Sequence, residues 1–119
     1  IVNIGSTAGK ETYPGGNVYC ATKHAVHALS DGMRMDLVKY GIKVTEVCPG
    51  MAETEFSLVR YKGDKQAADN VYKGVTPLVG EDIANIVYFI TSGLGKHVEI
   101  REIEISCQQQ ASAFVVNRK

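Results

Sequence analysis

Tyr19 and Lys23 stand four residues apart in a segment of helical character, and Ser6 precedes the tyrosine by thirteen positions. Four residues along a helix is about one turn, so the phenol and the ammonium share a face. That pairing suits acid–base chemistry. A phenol has an unperturbed pKa of ~10, a neighbouring ammonium favours the phenolate, and each unit of lowering needs ~1.4 kcal/mol of differential stabilisation. A hydroxyl such as that of Ser6 can hydrogen-bond a carbonyl oxygen while the phenol protonates it. The pair alone is weak evidence, because Tyr61 and Lys65 repeat the spacing. That second copy lies in a polar stretch interrupted by Gly63, has Cys48 in place of a hydroxyl thirteen residues upstream, and reads as a solvated surface pair.

To place the first set, the chain must supply a strand-end loop and a long helix. Ile1 to Ile4 form a β-branched run that reads as a buried strand already under way, so the chain looks cut from something longer; Gly5-Ser6-Thr7-Ala8-Gly9 closes the run with small residues suited to a loop. From about Val18 to Tyr40 the apolar residues Ala21, Ala25, Ala28, Leu29, Met33 and Leu37 recur at helical spacing, and Gly41 is placed to stop the helix. Ile42, Val44 and Val47 predict a second strand with an abrupt exit at Pro49-Gly50. Residues 51–80 are polar and mixed, and are expected to form short helices and a mobile excursion. Glu81 and Asp82 then open a helix over residues 81–92, where acidic side chains suit the positive end, with Gly93 and Gly95 beyond it. Ile100, Ile103 and Ile105 predict a last strand. This rhythm of strands and helices implies right-handed crossovers and a parallel sheet, with ligands outside the carboxyl ends of its strands. Gly5–Gly9 and Pro49–Thr54 both leave strands at that end and should face one crevice.

Three blocks, Asn3-Ile4-Gly5-Ser6-Thr7-Ala8-Gly9, Tyr19-Cys20-Ala21-Thr22-Lys23 and Pro49-Gly50-Met51-Ala52-Glu53-Thr54, resemble in content and order the second half of the short-chain dehydrogenase/reductase family. The resemblance covers essentially the whole chain. It implies a Rossmann-like doubly wound α/β fold of which residues 1–119 are the C-terminal part, supplying strands 5, 6 and 7 of the order 3-2-1-4-5-6-7. It implies an oxidoreductase in which Ser6 positions the carbonyl and Tyr19 transfers the proton. Lys23 would bind the nicotinamide ribose and lower the tyrosine pKa, and Pro49, Gly50 and Thr54 would line the cofactor. Gly15-Gly16-Asn17-Val18-Tyr19 and Thr54-Glu55-Phe56-Ser57 with Arg60 look like the branch that oxidises 3-hydroxy acids and serine-like amino acids with NADP, NAD being the other possibility. The family's glycine-rich phosphate loop, its cofactor-selecting residue and its relay asparagine have no counterpart here, and Asn3 is a strand residue. The dinucleotide-binding half is thus absent, and the block alone is expected to expose an apolar strand edge and bind no cofactor. A dimer or tetramer, through the helices beginning near Tyr19 and Glu81 and with help from the tail after Ser106, is implied by the resemblance only.

Plainer readings stand beside these. Thr54 also suits a helix N-cap, Arg60 is as reasonable on a free surface as against a substrate carboxylate, and Cys20 is expected to be a small packing residue. His24, His27 and Asp31 could share a helical face, but with no further ligand in evidence the expectation is a solvated or subunit-contact face and no metal. Cys20, Cys48 and Cys107 are too widely spaced for a disulfide framework or zinc knuckle. A formal net charge of +0 and the absence of a basic cluster argue for a small-molecule partner over nucleic acid. No apolar run reaches the ~18 to 20 residues of a membrane helix, and the expected setting is the cytoplasm. The rival functions are a dinucleotide-binding subunit without catalysis and an interaction module pairing with another polypeptide.

Overall fold

The computed structural model describes residues 1–119. Three parallel strands form its sheet: β1 (Val2–Ile4), β2 (Thr45–Pro49) and β5 (Glu102–Ile105), in the order β1-β2-β5. Val2, Asn3 and Ile4 sit opposite Thr45, Glu46 and Val47, and Glu46 to Pro49 sit opposite Glu102 to Ile105. Parallel pairing demands a crossover between neighbouring strands, and α1 (Asn17–Leu37) supplies the one from β1 to β2. The α/β class and the parallel sheet therefore match the sequence reading. β1 has no partner on its other side, and Ile1 and Ile4 are exposed there.

Some boundaries moved for identifiable reasons. The predicted helix over 18–40 tightens after Leu37 into a 3-10 turn, Val38–Tyr40, which ends at Gly41 with φ 68°, a left-handed value at which glycine carries no Cβ penalty. Ile42 and Val44 fall before β2, although Val44 is fully buried; the strand begins only where Thr45 meets Val2. α4 (Gly80–Ser92) opens with Asp82 accepting a hydrogen bond from the backbone N–H of Val79 at 2.8 Å, as its acidic start suggested.

Residues 51–80 are better organised than their composition predicts. β3 (Ala52–Glu53) pairs in parallel with β4 (Leu78–Val79), closing the excursion at its base. Between them, α2 (Glu55–Arg60) and α3 (Lys65–Tyr72) are joined through Tyr72, whose hydroxyl bonds the buried Ser57 at 2.7 Å and donates to the Ala52 carbonyl at 2.8 Å. The tail folds back over this unit. Gln110 accepts from the Met51 N–H and Gln109 from the Thr76 N–H, so the glutamine run satisfies backbone groups of its own chain.

The core is small. Ala8, Cys20, Val44, Val47, Cys48, Ala68 and Cys107 are its buried apolar residues. All three cysteines are free and buried, and burial together with the Glu46 and Glu102 carboxylates pushes the Cys48 thiol up to about 12. No helix is long and apolar enough to cross a membrane.

Candidate active site

Ser6 is placed by the turn that ends β1. Its hydroxyl caps the 3-10 turn Thr7–Gly9, accepting from the Ala8 N–H at 3.1 Å, and donates toward the Pro49 carbonyl at 3.4 Å. One hydroxyl thus ties the loop after β1 to the exit of β2. Tyr19 and Lys23 lie on the first turns of α1, the Lys23 Nζ 5.9 Å from the centre of the Tyr19 ring. The ammonium also donates to the Ile4 carbonyl at 3.0 Å, fixing the helix against the end of β1.

Thr54 caps α2, its hydroxyl accepting from the Phe56 N–H at 3.2 Å. The following turn brings Phe56 against Tyr19, ring centres 5.3 Å apart and tilted by 49°. Arg60, at the end of α2, lies over the Tyr13 ring at 5.6 Å and donates to its hydroxyl at 3.3 Å.

These elements enclose one cleft of about 620 Å³. Ser6, Tyr19, Lys23, Pro49, Gly50, Thr54 and Arg60 all line it, so the seven residues that the resemblance assigns to proton transfer, cofactor or substrate lie on one cavity. Hydroxyls, the Lys23 ammonium, the guanidinium groups of Arg60 and Arg118 and the Gln110 amide share the lining with apolar residues that include Met51 and Ile83. The cavity opens beyond the carboxyl ends of β1 and β2, where parallel sheets hold their ligands.

Other candidates disperse. Tyr61 follows the last residue of α2 whereas Lys65 begins α3, so their four-residue spacing spans a break, and Lys65 pairs with Asp69 in solvent at 2.7 Å. His24 bonds the Cys20 carbonyl at 2.8 Å and so stands apart from His27 and Asp31, which face each other at 3.9 Å while Asp31 also pairs with Arg34. His27 instead turns to Glu46 of β2 at 2.8 Å. Asn3 donates to Ser30 at 3.0 Å, away from the cleft. Cys20 is fully buried, as a packing residue should be.

Sequence reasoning missed Tyr13 and Tyr72, which also line the cleft, and it read Phe56 only as part of a motif and gave it no place in the site. Tyr13 had one available signal, an aromatic side chain in the small and polar stretch from Lys10 to Asn17. Burial pushes its phenol up, with the Arg60 cation opposing that shift.

A parallel sheet with its cleft outside the strand ends, crossed by a helix that brings a phenol and an ammonium to that cleft, defines a Rossmann-like α/β fold. Residues 1–65 match the short chain dehydrogenase family, and the chain belongs to it. It is 47% identical over 119 residues to sulfoacetaldehyde reductase 2 of Chromohalobacter salexigens, covering 99% of this chain and 47% of that protein. To the NADP-dependent 3-hydroxy acid dehydrogenase of Schizosaccharomyces pombe it is 44% identical, covering 100% of this chain and 46% of that one. A serine dehydrogenase solved in its closed form with NADP+ superposes with a TM-score of 0.91 at 41% identity, covering 100% of this chain and 48% of that one. The chain thus spans about half the length of the curated relatives it matches.

Proposed function

We propose that residues 1–119 are the proton-transfer part of a single Rossmann-type domain, in an NADP-dependent oxidoreductase acting on a small 3-hydroxy acid or a serine-like amino acid. The observation that carries this reading is the convergence of Ser6, Tyr19 and Lys23, from two separate elements, on one strand-end cleft. The cleft suits a nicotinamide cofactor: apolar lining at Pro49 and Met51 for a ring, with Lys23 and Thr54 as polar groups for a ribose and an amide. When bound, that cofactor supplies or accepts the hydride.

In the oxidising direction the Ser6 hydroxyl holds the substrate oxygen, and Tyr19 as phenolate takes its proton. In reduction the phenol returns it to the carbonyl oxygen. The Lys23 ammonium stands beside the phenol and binds the ribose, while Pro49, Gly50 and Thr54 form the wall. Arg60 is the counter-charge for a carboxylate, with Tyr13 holding the guanidinium in place. Support for an anionic substrate comes from the names of the relatives, which include a 3-hydroxy acid and a sulfonated aldehyde. Support for NADP comes from the serine dehydrogenase bound to it and from the yeast relative. A cytoplasmic dimer or tetramer completes the proposal, and the exposed Val18, Leu29 and Met35 of α1 and Tyr88 and Phe89 of α4 are the apolar surface that such an assembly would cover.

Tyr19→Phe in the complete enzyme tests the assignment. Loss of the phenolic proton is expected to lower kcat by about 10² to 10⁴, followed by nicotinamide absorbance with serine and 3-hydroxy acids. Turnover within a few-fold of wild type would remove Tyr19 from the chemistry.

A further inference from the structure

Tyr19, Lys23 and His27 recur at four-residue spacing, so they form one stripe along α1. The first two belong to the cleft and the third does not. His27 meets Glu46, the least expected residue of the interior: a carboxylate 1% exposed, on the central strand of the sheet. Its Oε2 is 2.8 Å from His27 Nδ1, and its Oε1 has no hydrogen-bond partner. The side chain lies flat against Gly5, where any Cβ would collide with the carboxylate. Gly5 is the residue before Ser6, and its N–H donates to the Val47 carbonyl at 2.8 Å. Glu46 is therefore a wedge with the Ser6 loop on one side and the Tyr19 helix on the other.

A buried carboxylate is costly unless paired, and an apolar residue of similar size would be cheaper here. Retaining it makes physical sense where it fixes a geometry. We propose that the Glu46–His27 pair is a positioning device, setting the separation between Ser6 and the face of α1 that carries Tyr19 and Lys23. The proposal rests on reading those three residues as the proton-transfer centre.

The pair holds best with His27 as imidazolium. The groups facing it are Glu46 on β2, Asp31 at 3.9 Å on its own helix and Glu102 at 3.4 Å on β5. Lys10 is bonded to Glu102 and Glu104, and the Cys48 thiol lies near Glu46 on the same strand. The hydrogen bond to Glu46 raises the imidazole above its ordinary value. With a raised folded-state pKa, the clamp is present at lower pH and loosens as pH rises through that value.

The test uses His27→Gln, His27→Arg and Glu46→Gln in the complete enzyme. It measures kcat and KM for oxidation of a 3-hydroxy acid across pH, together with amide hydrogen exchange at residues 5–9. His27→Gln and Glu46→Gln are expected to lower kcat by about 10- to 100-fold, the effect of a misplacement of an ångström or less. KM for NADP should stay within about twofold, and exchange at residues 5–9 should quicken. His27→Arg, which keeps a cation on Glu46 at every pH, should have the kcat of wild type at lower pH, and wild type should fall below it as pH rises. Wild-type kcat in His27→Gln, failure of His27→Arg to rescue, or unchanged exchange at residues 5–9 would each overturn the proposal. Should Glu46→Gln not fold, the two His27 variants decide. A wild-type enzyme inactive on every hydroxy acid would refute the proposed function instead, and exchange at residues 5–9 would still judge the clamp.

Discussion

Gly9→Ala should damage the protein at a site that touches no ligand, and the structure gives the size of the effect. Gly9 is buried at the end of the turn that Ser6 caps, packed under α1. A Cβ there would sit 2.9 Å from the Lys23 carbonyl oxygen and 3.2 Å from its carbon. Both are backbone atoms of a 21-residue helix, so no rotamer change relieves the contact. Restoring an ordinary ~3.5 Å separation requires α1 to withdraw by about half an ångström or the Ser6 turn to tilt. Overpacking of this kind costs about 1–3 kcal/mol, and the same displacement parts Ser6 from Tyr19. Denaturant unfolding and steady-state turnover of the complete protein are the assays, with Gly32→Ala as comparison. Gly32 lies inside the same helix with nothing within 4 Å of its added methyl, so alanine there is expected to stabilise by about 0.5–1 kcal/mol. Substitutions of identical chemistry should thus move stability in opposite directions, and only the first should lower kcat. Equal stability changes, or a Gly9→Ala enzyme with undiminished kcat, would refute the close packing of helix on turn.

Two further outcomes follow from the same geometry. Thr54→Ala removes the cap of α2 and is expected to cost about 1 kcal/mol; Thr54→Ser, which keeps the accepting oxygen, should recover most of it in thermal unfolding. The three buried thiols should resist alkylation in the native protein near neutral pH and react fully after denaturation, Cys48 being slowest because burial and nearby carboxylates hold its thiol protonated up to about 12.

The candidate site was more legible than the excursion beside it, for a physical reason. Ser6, Tyr19 and Lys23 depend on one strand end and one long helix, and long periodic elements declare themselves in sequence. β3 and β4 hold two residues each, too few for any period, and their pairing closes a loop of more than twenty residues that no local pattern announces. The glutamine run was unreadable for a related reason: its role is to satisfy the N–H groups of Met51 and Thr76, distant in sequence. Glu46 is the sharpest case. A charged residue in the second strand reads as a solvent-facing position until the histidine opposite it, nineteen residues away, is known.

The two Tyr-Lys pairs show what spacing alone lacks. Four residues place two side chains together only if the backbone between them is one continuous helix. Asn17–Leu37 satisfies that condition around Tyr19 and Lys23. Gly63, with φ 89°, and Lys62, with φ 54°, break it between Tyr61 and Lys65. Lys23 is then held by the Ile4 carbonyl as well as its helix, so its ammonium is tied to the strand end that also delivers Ser6. Lys65 has Asp69 alone, one turn along its own helix and in solvent. The distinction is thus one of attachment: a lysine bonded across elements transmits the position of the sheet to the tyrosine, whereas one bonded within its own helix transmits nothing. Substituting Lys65 should accordingly leave turnover untouched, and Lys23 cannot be exchanged even for arginine without moving that cation relative to both the ring and the strand.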